Sequence, residues 1–159
     1  MTLLTQQDDP RLVSQLSKAE NRPLREAHAY WSGKIVDGRL PSRRHIDATE
    51  IPRLLPNLFL LDVVPGPPTR YRFRLVGTRI AQVEGEHRGR YLDEYTELNE
   101  NPAVLRHYED ACRGVIYLRD NTLYWQDRDH VDYTVLLLPL AEDGVTVDAL
   151  LGYALYRNA

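Results

Sequence analysis

The chain has 159 residues, which is the length of one domain at roughly 150 residues per domain. Hydrophobic residues make up 43% and charged residues 27%, which excludes wholesale disorder. The formal net charge of −3 gives no overall attraction for a polyanion, so no nucleic-acid partner is expected. The single cysteine, Cys112, excludes an intramolecular disulfide and a cysteine cluster around zinc or iron–sulfur.

The beginning of the chain has no basic region followed by an apolar stretch, and no apolar run approaches the ~18 residues of a membrane span. We therefore expect a cytoplasmic protein with no membrane span. Residues 1–20 are polar with few apolar side chains, which predicts a mobile or weakly helical arm. Residues 21–159 are predicted to form the single domain.

An amphipathic docking helix is predicted over residues 21–38, ended by Gly38. Its apolar residues recur at spacings of three and four: Leu24, Ala27, Trp31 and Ile35. Burying Trp31 and Ile35 is worth roughly 2 kcal/mol each at about 25 cal/mol per Å², so this stripe is not expected to stay in water. It can pack on the sheet of its own chain or on a second copy, and we predict that the helix mediates or supports homodimerisation, with these four residues as candidates for the interface.

Strand patterns dominate the rest of the chain. The apolar run of residues 58–64 and the alternating run of residues 70–76 flank a Pro-Gly-Pro-Pro loop, which predicts an antiparallel hairpin. Two short helices are expected next, one closed by Gly85 and one closed by Gly114. From Val115 to Tyr156, strand-like segments joined by polar turns predict a three-stranded antiparallel meander.

The order of these elements favours the α+β class, because strands and helices are segregated rather than alternating. In residues 58–61 and 134–140 apolar side chains occur at both odd and even positions, so both faces of the sheet are expected to be shielded from solvent. The short helices can cover one face, and the docking helix can cover the other.

Several separated motifs carry a family resemblance. They are Leu-Pro-Ser-Arg at 40–43, Ile-Asp at 46–47, Ile-Pro-Arg-Leu-Leu-Pro at 51–56, Leu-Phe-Leu-Leu-Asp-Val at 58–63, Tyr-Arg-Phe-Arg-Leu-Val-Gly-Thr at 71–78 and Gly-Arg-Tyr-Leu-Asp-Glu at 89–94. In this order, over roughly residues 24–152, the chain resembles the bacterial PAS-domain family of short stand-alone proteins. The resemblance implies a sensor or interaction module with a five-stranded antiparallel sheet, a cavity between sheet and helices, and frequent dimerisation through an N-terminal helix.

A pocket in such a fold would have three walls. The predicted lining residues are Phe59, Leu61, Phe73 and Leu75 on the first strands, Tyr91, Leu105 and Tyr108 on the helical side, and Trp125, Val135 and Leu137 on the meander. Arg74 and Arg90 are candidates to pair with a ligand carboxylate. Tyrosines that need a partner for a buried hydroxyl are further candidates: Tyr91, Tyr108, Tyr124, Tyr133 and Tyr153.

The resemblance does not name a ligand, and the cofactor stays unknown. His107 lies on the helix that would cover the pocket and is the one candidate for an axial haem ligand. A flavin photosensor of this type needs a reactive cysteine in an Asn-Cys-Arg-like motif, whereas Cys112 is preceded by Ala111. Haem and flavin are therefore disfavoured, no metal site is predicted, and a buried hydrophobic role is favoured for Cys112.

Two functions from different classes follow. The first is a non-catalytic regulatory module that binds a small molecule, a signalling protein or both. The alternative is a small-molecule enzyme of the α+β cone type, an isomerase or dehydratase, in which Asp62 acts as a buried base beside Tyr71 or Tyr91. The sequence favours the module, because the cone fold places its long helices before its strands and the order of elements predicted here does not follow that arrangement.

Overall fold

A computed structural model describes residues 9–94, 102–125 and 128–157, without the side chains of residues 102–104, 121–125 and 128–130. The helices within these ranges are α1 (Pro10–Leu16), α2 (Arg22–Ser32), α3 (Thr78–Glu84) and α4 (Pro102–Cys112). The strands are β1 (Leu58–Val64), β2 (Arg70–Val76), β3 (Tyr117–Trp125), β4 (Arg128–Leu140) and β5 (Ala149–Tyr156).

The five strands form one antiparallel sheet in the order β2-β1-β5-β4-β3. The predicted hairpin and the predicted meander are joined where β1 pairs with β5, with Leu61 opposite Leu150. The α+β class and the five-stranded antiparallel sheet are thus confirmed. Within the meander, β4 is the longest strand and begins at Arg128.

Both faces of the sheet are covered, as the two apolar parities of β1 and β4 predict. On the inner face, α3 and α4 pack over residues such as Leu61 and Leu137. On the outer face, α1, α2 and the connection before β1 pack over residues such as Leu138 and Leu151. Because side chains alternate along a strand, Leu150 of β5 lies on the inner face and Leu151 lies on the outer face.

The docking helix is shorter than predicted and belongs to the core of its own chain. It ends at Ser32, because Gly33 follows and the chain then turns through Asp37 and Gly38, whose φ angles are 53° and 73°. Ile35 therefore lies beyond the helix, although it still packs on the outer cluster.

The apolar stripe of this helix is buried without a second copy. The three helical members of the stripe, Leu24, Ala27 and Trp31, are at most 3% exposed within one chain. They are consequently not available to a second copy in this conformation, and a dimer would have to use a different surface.

The segment expected as a mobile or weakly helical arm over residues 1–20 contributes to the same core. Asp9 caps α1 by accepting a hydrogen bond from the Arg11 amide, and Pro10 stands at the first helical position. Leu12 and Leu16, four residues apart on one side of α1, are 9% and 5% exposed in the outer cluster. Residues 1–8 lie outside the described residues.

Candidate ligand site

The space between the inner face of the sheet and helices α3 and α4 is where the predicted pocket residues meet. We call this cluster the inner layer. Its buried members are Phe59, Leu61, Tyr71, Phe73, Ile80, Leu92, Ala111, Val135, Leu137, Leu150 and Ala154. Partly buried side chains that pack against it include Leu105, Tyr108, Cys112, Tyr117, Tyr133 and Tyr156. The layer is thus a mostly apolar cluster of strand and helix residues, and tyrosines are frequent among the partly buried side chains around it.

Seven of the predicted pocket residues belong to this layer. Phe59, Leu61, Phe73, Val135 and Leu137 are buried in it, and Leu105 and Tyr108 pack against it. Their binding of a ligand stays a prediction. The Trp125 and Tyr124 side chains lie outside the described residues.

Leu75 is not in the inner layer, contrary to the simple alternation expected for β2, and Arg74, a predicted carboxylate partner, lies outside the layer as well. A register shift between Leu60 and Leu61 pairs Leu61 with Phe73 but Leu60 with Leu75, so Arg74 is an extra residue in β2. Such a β-bulge reverses the alternation that follows it. Leu75 is 39% exposed as a result, and Val76 packs against the inner layer instead.

Tyr91 and Arg90 lie at the edge of the sheet rather than in the layer. Residues 87–94 run along β2: the Phe73 amide donates to the Arg90 carbonyl oxygen at 2.9 Å, and the Gly89 amide donates to the Phe73 carbonyl oxygen at 2.7 Å. The Arg70 guanidinium lies 3.7 Å from the centroid of the Tyr91 ring. We call residues 87–94 the edge clasp, because they cover the outer edge of β2.

Among the tyrosine candidates, Tyr153 lies on the outer face of the sheet, opposite to the predicted pocket. It belongs to the outer cluster and is 4% exposed there, because it follows Gly152 by one residue on β5. Burial raises the pKa of Tyr153 to about 12. Tyr133, by contrast, lies on the inner face and stacks obliquely with Tyr156 at 5.8 Å between ring centroids.

Tyr108 is the central phenol of the site. Its ring tilts against that of Tyr71 with centroids 5.6 Å apart, while part of its side chain keeps accessible surface. In the part of the chain that the structure describes, its hydroxyl has no hydrogen-bond partner. Burial is the main reason that the pKa of Tyr108 is raised, so the hydroxyl is a neutral donor throughout the physiological range.

Two further polar contacts, which the sequence does not reveal, close the layer on either side of Tyr108. On one side the Tyr71 hydroxyl lies 3.8 Å from Cys112 Sγ. On the other side the Tyr156 hydroxyl donates to Glu84 Oε2, and His87 Nε2 lies 3.5 Å from Glu84 Oε1. The Tyr71–Cys112 and Tyr156–Glu84 contacts join residues far apart in sequence, so no spacing rule could have indicated them, whereas His87 and Glu84 are only three residues apart.

The geometry bears on the two cofactor candidates. His107 Nε2 accepts a hydrogen bond from Arg119 at 2.8 Å, and its ring stacks on Tyr117 at 4.5 Å. Burial and the Arg119 charge lower the pKa of His107, and a metal ligand at this nitrogen would have to displace Arg119. Burial raises the pKa of the Cys112 thiol, which keeps it protonated and weakly nucleophilic.

The Asp62 constellation of the alternative enzyme is not assembled. Asp62 Oδ1 accepts from Arg43 at 2.6 Å and Asp62 Oδ2 accepts from Arg74 at 2.7 Å. Asp62 follows the inner-facing Leu61, so it projects from the opposite face of the sheet to Tyr71. A carboxylate held by two arginines on that face is a structural ion pair and not a base beside a phenol.

A separate surface pocket of about 570 Å³ lies between the connection after α2 and the turn from β4 to β5. Two of its charged side chains already have partners, since Arg39 donates to the Asp143 carbonyl oxygen and Lys34 pairs with Glu50 at 3.0 Å. Among the described residues, no group of His, Cys, Asp and Glu side chains is placed to hold a metal ion. No helix within the same ranges has the length and apolar character needed to cross a membrane.

Comparison with known proteins agrees with this architecture. The family model for the PAS domain matches residues 19–155, so the chain belongs to the PAS domain family. The sheet order, the covering helices and this match together define a sensory PAS module. No curated protein matches the chain.

Two solved structures are similar to this chain at low sequence identity. The crystal structure of a Rhodobacter sphaeroides LOV protein superposes with a TM-score of 0.50 and 17% identity, over 71% of this chain and 69% of that one. A structure of an RsLOV variant gives a TM-score of 0.49 and 17% identity, over 67% of this chain and 63% of that one. At 17% identity the likeness to the first of these structures concerns the fold alone.

Proposed function

We propose that this chain is a non-catalytic sensor that binds a small molecule in the inner layer and reports its presence through contacts with other proteins. The observation that supports the proposal most is the Tyr108 hydroxyl, a partly buried donor between sheet and helix with no partner among the described residues. A ligand in the inner layer that accepts this hydrogen bond would take the place of water at the hydroxyl.

The same groups suggest how occupancy would reach the surface. Tyr108, Ala111 and Cys112 all lie on α4 and face the layer. A ligand in the layer would therefore contact this helix and change its position. Helix α3 is tied to the sheet by the contact of Glu84 with Tyr156. A shift of α4 relative to the sheet would therefore change the exposed side of α4, where Arg106 and Glu109 lie.

A protein partner is part of this proposal, since PAS modules commonly act through dimerisation or partner contacts. We still expect homodimerisation in the cytoplasm, but the apolar stripe of α2 would not form the contact. With its apolar stripe buried, the helix presents Arg22, Arg25 and Ala29 to solvent instead. The alternative enzymatic role is disfavoured by the pairing of Asp62 with Arg43 and Arg74.

Xenon is a suitable probe of the proposed cavity, because it enters apolar cavities without needing a specific contact. We expect pressurised xenon to shift amide resonances around Ala111 and Leu137 in two-dimensional NMR spectra. The variant Ala111→Leu, which fills the inner layer, should lose these shifts. The matched variant Ala149→Leu, which adds the same volume at the outer cluster, should keep them.

Shifts confined to the outer cluster, or no saturable shifts in a folded wild-type protein, would show that the inner layer is solid. The sensor proposal would then be wrong, and a filled interaction module would be left. Circular dichroism spectra of both variants establish that the fold is kept.

A further inference from the structure

The outer face of β2 carries more positive than negative charge. Arg43 Nη1 and Arg74 Nε donate to the two oxygens of the Asp62 carboxylate, at 2.6 and 2.7 Å. Arg72 lies directly opposite Asp62 across the β1–β2 pair, so its side chain leaves the sheet on the same outer face. We call Arg43, Arg72, Arg74 and Asp62 the arginine face. Three guanidinium groups thus accompany one carboxylate, in a chain whose formal net charge is −3.

The arginine face is open to solvent, and its positive charge is only partly neutralised. The Arg72 and Arg74 side chains are exposed, whereas the Asp62 side chain is 17% exposed beneath them. Arg72 Nε donates to the Gly89 carbonyl oxygen at 3.4 Å, and Arg72 has no carboxylate partner in the described part of the chain. Three arginines against one aspartate leave two positive charges on this surface.

Carboxylates on the adjoining elements have other partners. Asp93 pairs with Arg70 at 2.7 Å, at the edge of the sheet. Asp148, just before β5, accepts a hydrogen bond from the Glu142 amide at 3.0 Å. Neither carboxylate pairs with the arginine face, so its guanidinium groups have donors available for an anion from outside.

An apolar side chain borders the arginine face. The β-bulge turns Leu75 away from the inner layer, and its cross-strand partner Leu60 packs on the outer cluster. Leu75 therefore follows Arg74 on the outer face, where it is 39% exposed. Guanidinium groups match carboxylates in geometry, and arginines beside apolar side chains are typical of protein–protein interfaces.

We propose that the arginine face docks an acidic segment of a partner protein, whose carboxylates pair with Arg72 and Arg74 and whose apolar side chain contacts Leu75. This inference names the chemistry of the partner, and it rests on the protein contacts proposed above. Asp62 already shows that one carboxylate can bridge two guanidinium groups at this place. A nucleic acid is disfavoured, because the negative net charge of the whole chain repels a long polyanion.

Fluorescence anisotropy with the full chain tests this docking. The probe is a fluorescein-labelled peptide of sequence Gly-Glu-Asp-Glu-Leu-Glu-Asp-Glu-Gly, and the neutral control peptide has Gln and Asn in place of Glu and Asp. Titrations at about 0.15 M salt suppress long-range attraction between exposed charges. We expect saturable binding of the acidic peptide and no binding of the neutral peptide.

Two double variants with the same loss of charge identify the surface. Arg72→Gln with Arg74→Gln should weaken binding of the acidic peptide about three- to tenfold, because each removes one exposed ion pair. Arg22→Gln with Arg113→Gln changes two exposed arginines on α2 and just after α4, and should alter the dissociation constant less than about twofold. Circular dichroism spectra establish that both double variants keep the fold.

Leu75 is tested with a second peptide, in which Ser replaces the central Leu of the acidic probe. Leu75→Ser should weaken binding of the leucine peptide about two- to fivefold and leave binding of the serine peptide unchanged. This coupling distinguishes a docked segment from an anion held by charge alone. Equal effects on the two peptides would show that Leu75 does not contact the segment.

The other outcomes decide between the partner classes. No saturable binding of the acidic peptide to the folded protein, or equal weakening by the two double variants, would overturn the proposal. A single-stranded DNA oligonucleotide of matched charge that binds more tightly than the peptide, and loses affinity in the Arg72 and Arg74 variant, would assign the face to nucleic acid instead. The xenon experiment concerns the inner layer, so a failure of the docking proposal is distinguishable from a failure of the proposed ligand sensing.

Discussion

The indole Nε1 of Trp31 donates a 2.8 Å hydrogen bond to the carbonyl oxygen of Pro139. This bond connects α2 to β4 across 108 residues of sequence, and both side chains are fully buried. A buried indole N–H needs such an acceptor. Helix α2 is therefore part of the core of one chain, and its apolar stripe is satisfied without a partner.

The first prediction concerns this helix. The double variant Trp31→Ala, Ile35→Ala should lower the free energy of unfolding by about 3–5 kcal/mol, mostly through Trp31, since Ile35 is only partly buried. Urea denaturation followed by circular dichroism measures the change. Light scattering on the same samples reports the oligomeric state. A variant that loses a dimer while its unfolding midpoint stays at the wild-type value would contradict the packing of the stripe on its own sheet.

The second prediction concerns the contact of Phe59 with Gly152, which face each other across β1 and β5. A Cβ atom at Gly152 would lie 2.0 Å from the Phe59 ring, so the ring uses the space that the missing side chain leaves. Gly152→Ala should destabilise the protein by about 1–3 kcal/mol and shift the Phe59 ring resonances.

The control for this glycine is Gly33, whose added Cβ would come no closer than 3.3 Å to a backbone oxygen. Gly33→Ala should change the unfolding free energy by less than about 1 kcal/mol. Equal effects of the two substitutions would mean that the ring of Phe59 does not occupy the position over Gly152.

Most of the fold was predictable because its signals are local. Period-two apolar patterns mark β1 and β2, and glycines such as Gly85 and Gly114 mark helix ends, so the element order follows from the sequence. The early end of α2 was not predicted, because Ile35 continues the apolar spacing beyond the residue where the helix stops. The apolar pattern reports burial, and Ile35 is partly buried without being helical.

The site was predictable only in its apolar part. Phe59, Phe73 and Leu137 are placed correctly by alternation along regular strands. The predicted position of Leu75 is wrong, because the sequence pattern does not indicate the extra residue in β2. The contact of Glu84 with Tyr156 depends on two elements meeting in space, which a single sequence does not report.

The third prediction concerns the edge clasp and pH. Arg70 donates to both carboxylate oxygens of Asp93, at 2.7 and 2.9 Å, and this hydrogen bonding lowers the pKa of Asp93. A lowered folded-state pKa contributes stability above the unfolded value near 3.9, and the contribution is lost as the pH falls through the folded-state pKa. The pair is partly exposed, so its contribution is at most about 1 kcal/mol.

Asp93→Asn should accordingly be less stable than the wild type at pH 6 and equal to it at the lowest pH at which both remain folded. Urea unfolding curves between these two pH values give the difference in unfolding free energy between the two proteins. The contributions of the other carboxylates cancel in this difference, because both proteins contain them. Hydrogen exchange at the Gly89 amide, which donates to Phe73 within the clasp, should become faster in the variant. A difference that grows toward low pH would have the wrong sign for this pair.

The fourth prediction separates the two faces of the sheet. Asp62→Asn keeps the shape of the side chain but weakens its contacts with Arg43 and Arg74 on the outer face. Since the Arg43 and Arg74 side chains are 39% and 56% exposed, the loss of stability should not exceed about 1 kcal/mol. The xenon-induced amide shifts around Ala111 and Leu137 should match those of the wild type. A marked loss of these shifts would place Asp62 in the site, as the alternative enzyme requires.

The fifth prediction concerns the polar network that joins the N-terminal helices to the end of the sheet. The Asn21 side chain, 2% exposed, donates to the Gln15 carbonyl oxygen and accepts from Arg157, both at 2.8 Å. Arg157 also donates to Thr134 at 2.6 Å. Asn21→Ala removes both bonds of the amide and should cost about 1–3 kcal/mol, because the groups it leaves are shielded from water.

The control for Asn21 is Glu20, which lies 3.7 Å from Arg157 and is 61% exposed. Glu20→Ala should have an effect below about 1 kcal/mol, since an exposed ion pair contributes little. Hydrogen exchange at the Ser17 amide, which donates to the last turn of α1, should accelerate in Asn21→Ala and stay unchanged in Glu20→Ala. Similar exchange in both variants would show that α1 is held by its apolar contacts through Leu12 and Leu16 and not by the network.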